Sequence, residues 1–212
     1  MNLILLGAPG AGKGTQAELL TKGLGIPAIS TGNMLREAMK NGSELGKQVK
    51  QYMDEGSLVP DDVILSIIAE RVARPDCKAG FILDGVPRTL AQAEAMEAKG
   101  IAIDHVVSLE VDDAAIVGRM SGRRVCTKCG ASYHIDNNPT KIKGICDVCG
   151  GQVSIRKDDE PETVLHRLEV YHASTEILKD FYRQRGVLYL VKGDQQIPAI
   201  QQDILKALGV NV

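Results

Sequence analysis

Tryptophan is absent from the chain and phenylalanine occurs twice, which leaves few aromatic platforms on which single-stranded nucleic acid could stack. A surplus of one charge is missing too. The formal net charge is −2 over 212 residues, so no global field draws the molecule to nucleic acid or to an anionic lipid surface. No apolar run approaches the roughly 18 residues of a membrane span. The opening Met-Asn-Leu-Ile-Leu-Leu lacks the basic region and cleavage site of a secretory signal, so the cytoplasm is the expected location. Internal repeats and low-complexity tracts are also lacking. What remains is a soluble globular composition, 44% hydrophobic and 25% charged, long enough for one substantial core with room for small inserts.

The most informative stretch present is Gly7–Thr15, GAPGAGKGT. An apolar strand, Leu3–Leu6, runs into it and a helical pattern, Gln16–Gly25, runs out. Backbone N–H groups of such a loop, with the helix N-terminus behind them, favour a polyphosphate, and Lys13 can reach its outer phosphates. Gly7, Gly12 and Lys13 fit the phosphate-loop pattern G-x-x-x-x-G-K-[ST], but Gly14 stands where a metal-binding hydroxyl is usual and Thr15 comes one residue late. Downstream, apolar runs at Ala28–Ser30, Phe81–Leu83, His105–Val111 and Val187–Val191 alternate with helical patterns. Those patterns are Thr31–Arg74, broken at Asn41-Gly42 and at Gly56–Pro60, then Thr89–Lys99, Asp112–Met120, Glu162–Arg185 and Ile197–Leu208. Strands alternating with helices predict an α/β fold with a parallel sheet covered on both faces. Asp61-Asp62 are placed to cap the helix after Pro60.

Phosphoryl transfer asks a protein for position and positive charge, and arginine serves because it stays charged and binds phosphate in a fork. Arg36, Arg88, Arg119, Arg123, Arg156 and Arg167 are available. Asp84, ending a strand, suits Mg²⁺ or its waters. Asp158 and Asp159 could serve the same ion or cap the helix at Pro161. No H-R-D stretch supplies a general base, which a kinase acting on a hydroxyl needs. An acceptor that is already a phosphate dianion needs none, so the deficit favours a nucleoside monophosphate. The N-K-x-D motif of GTPases does not occur.

Four of the five cysteines form C-x₂-C-x₁₆-C-x₂-C at Cys126, Cys129, Cys146 and Cys149. That is zinc spacing, and four thiolates would fill the tetrahedral shell of a structural ion. Cys77 has no partner by sequence.

Together these segments closely resemble the adenylate kinase family. GAPGAGKGT matches its loop G-x-P-G-[AS]-G-K-G-T, in which glycine follows the lysine, and GFILDGVPRT (Gly80–Thr89) matches F-x-[LI]-D-G-[FY]-P-R-T, with Val86 where an aromatic is usual. STGNMLR (Ser30–Arg36), SGRR (Ser121–Arg124), RKDD (Arg156–Asp159) and TVLHRL (Thr163–Leu168) follow in the family's order. The resemblance implies transfer of the terminal phosphoryl group of Mg·ATP to AMP, giving two ADP, by a monomer serving adenine nucleotide homeostasis. It implies a five-stranded core of residues 1–29, 60–122 and 160–212, an AMP-binding insert at 30–59, and a zinc-bearing lid at 123–159. Lys13, Asp84, Arg88, Arg123, Arg156 and Arg167 would be catalytic. Gly10, Ala11, Gly12, Lys13, Gly14, Thr15, Arg119, Arg123, Ser132, Tyr133 and the Gln195 backbone would line ATP. His134 could touch it or be a surface histidine. Thr31, Arg36, Ser57, Leu58, Val59, Gly85, Val86, Pro87, Arg88, Gln92, Arg156 and Arg167 would surround AMP, with Gln92 reading the adenine edge. A kinase for another monophosphate and a nucleotide-switched zinc-ribbon binding module are the competing readings.

Overall fold

Asn2–Gly7 forms β1 because a run of leucine and isoleucine is stable only where both faces of a strand are covered. Leu3, Ile4 and Leu5 are essentially inaccessible. The computed structural model describes residues 1–210. After β1 come α1 (Lys13–Leu24), β2 (Ala28–Ser30), α2 (Thr31–Lys40), α3 (Glu44–Glu55) and α4 (Asp61–Val72). Then follow β3 (Phe81–Asp84), α5 (Leu90–Ala98), β4 (His105–Glu110) and α6 (Asp113–Gly122). Three short strands, β5 (Arg123–Cys126), β6 (Ser132–His134) and β7 (Val153–Ser154), form the cysteine-bearing segment. The chain returns through α7 (Pro161–Val170), α8 (Leu178–Gln184), β8 (Leu188–Lys192) and α9 (Ile197–Ala207).

The expected parallel α/β sheet is present, five-stranded, in the order β2-β3-β1-β4-β8. Helices α1, α6 and α9 cover one face through Leu20, Ile116 and Ile204. Helices α4, α5 and α8 cover the other through Ile68, Met96 and Leu178. Each such fully buried side chain contributes about 2 kcal/mol. With β3 and β4 on either side of β1, the strand order reverses at β1. Open α/β sheets bind ligands in the crevice beyond the strand C-termini at such a point. The glycine loop and Asp84 both lie there. Among the described residues no helix is long and apolar enough to cross a membrane.

Helices α2 and α3 pack backbone against backbone. A Cβ built on Gly46 would lie 2.2 Å from the Ala38 carbonyl oxygen, and the Ser43 hydroxyl caps α3 by accepting from Gly46 N at 3.1 Å. Gly46→Ala should therefore cost about 1–3 kcal/mol through forced separation of the helices. An unchanged urea midpoint would show that they part freely.

Two expectations need correction. The periodic stretch Glu162–Arg185 is not one helix. It is α7, a π-helical turn over Tyr171–Thr175 and then α8, with Glu176 N bonding five residues back to the Tyr171 carbonyl at 3.0 Å. The cause is tertiary: the buried Thr175 hydroxyl donates to the Arg88 carbonyl at 2.8 Å, and one added residue per turn re-phases the helix to reach it. Asp61 and Asp62 do not cap α4, whose start has no side-chain cap. Asp61 bonds across to α5 instead. The cysteine region, which shows little helical periodicity in the sequence, contains a three-stranded antiparallel sheet in the order β6-β5-β7.

Candidate active site

The loop between β1 and α1 turns on glycines whose backbones other residues rarely adopt. Gly10 has φ +86° and Gly12, the residue before α1, has φ +102°. A Cβ at Gly10 would also meet Met120 Sδ at 2.8 Å. This curl brings Lys13 Nζ to the Gly7 and Ala8 carbonyls at 2.7 and 2.8 Å. Burial, joined by Arg88, Arg167 and Arg123 and opposed by Asp84, lowers the Lys13 ammonium to about 8. Gly14 lies beside Asp84: a Cβ there would stand 3.7 Å from Asp84 Oδ2, an ordinary contact distance.

Arginines converge opposite Lys13. Arg123, where β5 leaves α6, forks onto the buried Asp159 carboxylate through Nε at 2.7 Å and through a second, closer nitrogen. Arg167 on α7 donates to the Asp158 carbonyl and to Asp158 Oδ2, both at 2.9 Å. Arg88 is fixed by Nε donating to the Gly85 carbonyl at 2.8 Å. Arg36 on α2 donates to Asn33 Oδ1 at 2.7 Å and comes within 4.0 Å of Asp158. Burial, assisted by the neighbouring guanidiniums, lowers Arg36, Arg88 and Arg167 from their ordinary value and takes Arg156 to about 9. Burial works against the Asp158 charge, but Arg167, Arg36 and Arg156 prevail and hold its carboxyl below the usual range.

Lys13 and five arginines thus share the site with three carboxylates, Asp84, Asp158 and Asp159. The surplus charge is positive, and Arg156 Nε is buried with no acceptor among the described residues. A buried N–H left without an acceptor is expensive. A polyanion between the loop and the arginines would relieve it.

Arg119 donates to the Gly193 carbonyl at 2.6 Å and to the Ala11 carbonyl at 3.4 Å, tying the loop to the β8–α9 turn. Gln195 in that turn spends its side chain on Asp203 at 2.7 Å. Thr15 follows Gly14 on the first turn of α1. On the β3 side, the buried Thr31 hydroxyl donates to the Gly85 carbonyl at 3.0 Å, Ser57 Oγ lies 3.4 Å from His166 Nε2, and Val59 and Val86 are core residues. A cavity of about 60 Å³ runs among Lys13, Leu58, Gly85, Pro87, Arg88 and Arg167. A wider groove of about 580 Å³ at the opposite strand ends, by Asn2, Phe81 and Ile101, contains none of the convergent charge.

Gln92 is 2% exposed, with both ends of its amide engaged. Oε1 accepts from Arg88 N and Nε2 donates to Asp61 Oδ1, each at 2.7 Å. The cysteine-bearing segment rests on α2 and α3 through Lys40 Nζ to the Thr127 carbonyl at 3.1 Å and Lys157 to Asp54 at 2.9 Å. Such exposed contacts stabilise little individually. They describe a closed arrangement.

The four expected cysteines meet. Their Sγ atoms all lie within 4.8 Å of one another, with Cys126 to Cys149 at 3.5 Å and Cys129 to Cys146 at 3.6 Å, and no disulfide joins them. A tetrahedral Zn–S₄ shell has edges of about 3.8 Å, so the cluster is compatible with zinc. The Tyr133 hydroxyl sits 3.3 Å from Cys146 Sγ and accepts from Asp147 N at 2.9 Å, supporting the cluster. Ser132 beside it pairs with Val125. His134 is partly buried. Its Nδ1 accepts from Asp136 N and Asn137 N, and its Nε2 would lie 2.3 Å from a Cβ on Gly122.

Asp61 and Thr175 are the residues that sequence reading left out of the site. Asp61 was legible only as a helix-start acid, and Thr175 carried no signal, because its bond to Arg88 spans 87 positions.

The sequence profile of adenylate kinases matches residues 5–187. The chain is 54% identical over 214 residues to the adenylate kinase of Caldicellulosiruptor bescii, covering 99% of this chain and all of that one. It is 55% identical to that of Caldicellulosiruptor saccharolyticus over the same spans, and 52% identical over 212 residues to that of Geobacter sp. strain M21, covering 98% and 99%. A glycine loop that gathers a lysine, a ring of arginines and an aspartate at the switch of a five-stranded parallel sheet, with sequence identity across its whole length, makes this chain a member of the adenylate kinase family.

Proposed function

We infer that the chain moves the terminal phosphoryl group of Mg·ATP to AMP, reversibly, giving two ADP. It is a nucleoside monophosphate phosphotransferase of the adenylate kinase family. The observation that carries the finer reading is the surplus of cations around Lys13, with the unpartnered Arg156 Nε among them. ATP and AMP together bring about six negative charges, and phosphoryl transfer is catalysed mainly by placing and neutralising such charge.

In this reading the backbone of Gly10–Thr15 cradles the ATP phosphates and Lys13 leaves the Gly7 and Ala8 carbonyls for the outer ones. Arg119, Ser132, the Tyr133 backbone and Gln195 border the donor. Thr31, Arg36, Ser57–Val59, Gly85–Arg88 and Gln92 border AMP. Arg88, Arg123, Arg156 and Arg167 lie between the two and hold the transferring group in line with the attacking AMP phosphate oxygen. Mg²⁺ is part of the Mg·ATP substrate and would neutralise phosphate charge, with Asp84 placed to hold it or its waters. Residues 123–159 act as a lid that excludes water, which otherwise competes for the phosphoryl group, and 30–59 as the AMP insert. Cys126, Cys129, Cys146 and Cys149 would hold a zinc ion that stiffens the lid, and four thiolate ligands would leave it no open position for chemistry. We place the enzyme in the cytoplasm as a monomer.

A coupled assay with AMP, UMP, CMP and GMP at equal concentration tests the acceptor. AMP should lead by a wide margin, and Gln92→Leu should raise KM for AMP more than KM for ATP, since a hydrogen-bonding pocket rejects a base that leaves its polar groups unpaired. UMP or CMP turned over as fast as AMP would move the assignment to another monophosphate.

A further inference from the structure

We propose that Asp61 sets the base preference of the acceptor site by fixing which way round the Gln92 amide points. The inference rests on the reading that Gln92 faces the acceptor base. A glutamine amide has two N–H donors on one atom and two lone pairs on the other, and nothing intrinsic prevents the two ends from exchanging places. Here the exchange is blocked on both sides. Gln92 Oε1 accepts from the backbone N–H of Arg88, a group that can only donate. Gln92 Nε2 donates to Asp61 Oδ1, and a carboxylate can only accept. Asp61 is itself oriented, because its Oδ2 accepts from the Thr89 hydroxyl at 2.9 Å, and that hydroxyl in turn accepts from Gln92 N at 3.1 Å.

These bonds use one donor and one acceptor of the amide and leave one of each. That remainder matches adenine, whose N6 amino group donates and whose N1 accepts. It mismatches a 6-oxopurine, whose O6 accepts and whose N1–H donates. Reversing the amide would accommodate the 6-oxopurine, and the reversal is what Asp61 opposes. Asp61 is a positioning residue: it stands at the first turn of α4, just past the Ser57–Val59 backbone, and acts on the base through Gln92.

The test measures kcat and KM for AMP, IMP and ATP in the full chain. Asp61→Ala removes the acceptor from Gln92 Nε2. It should raise KM for AMP about tenfold, the scale of one bidentate base contact, with KM for ATP holding. The AMP-over-IMP ratio of kcat/KM should fall by a similar factor. Asp61→Asn keeps an oxygen that can accept from Nε2 and should recover most of both. A helix-start acid with no other role would lower the thermal midpoint and leave the AMP-over-IMP ratio alone. If Asp61→Ala, folded by circular dichroism, keeps wild-type KM for AMP and wild-type base preference while Gln92→Leu disturbs both, the proposal is wrong and the Gln92 reading survives. If Gln92→Leu disturbs neither, the underlying reading has failed. In the Gln92→Leu background Asp61→Ala should add nothing to KM for AMP; a full further loss there would also overturn the proposal.

Discussion

Lys13→Ala lowers turnover by about 10²–10³, the effect of deleting one preorganised contact to developing charge, worth roughly 3–4 kcal/mol. The side chain is not a packing element whose loss would collapse the loop. Its ammonium is held by two loop carbonyls at 2.7 and 2.8 Å, and burial lowers it from 10.5 to about 8. The folded state therefore disfavours the charged form that lysine carries at neutral pH, and alanine relieves the fold of it. The thermal midpoint at pH 7 should hold or rise while kcat falls. Lys13→Arg should rescue little, because a planar fork does not replace a compact ammonium between two carbonyls. Near-wild-type turnover by a folded Lys13→Ala enzyme would remove Lys13 from the chemistry.

Cys146→Ser lowers the thermal midpoint by on the order of 10 °C, for a loss of a few kcal/mol in a chain of this size. Cys126–Cys149 is far shorter than the roughly 40 residues at which a fold dispenses with metals or disulfides. Strands β5, β6 and β7 around it enclose a core of only Cys126, Tyr133 and Cys146 with a few partners. The binding energy of an ion there becomes folding energy. Elemental analysis should find one zinc per chain, released by thiol modification, and the variant should lose activity faster on warming yet keep much of its turnover in the cold. Total loss in the cold, restored by zinc alone, would give the metal a chemical role. Absence of metal with four titratable thiols would show that the cluster works without it.

The residues legible in the sequence are those whose chemistry fixes their spacing. A phosphate loop needs glycines where φ is positive, and a four-thiolate shell needs two tight cysteine pairs. Strands buried on both faces declare themselves as unbroken apolar runs. Illegible were the residues whose partners are brought by the fold. Tyr133 gives no sign in the sequence of the contact that β6 makes for it, its hydroxyl against Cys146. Gln92 reads as a free amide until α4 brings Asp61 to it. The π turn at Tyr171–Thr175 interrupts a faultless helical pattern, because it answers to the Arg88 carbonyl and to nothing local.

The surplus of arginine over carboxylate around Lys13 also bears on the direction of the reaction. ATP and AMP enter with about six negative charges, and two ADP leave with about three each. The cations therefore see the same total on either side of the transfer, and a site that grips by charge count has no preference for substrates over products. On charge count alone, bound reactants and bound products are expected to stay near parity. Neither side is released by a change in charge.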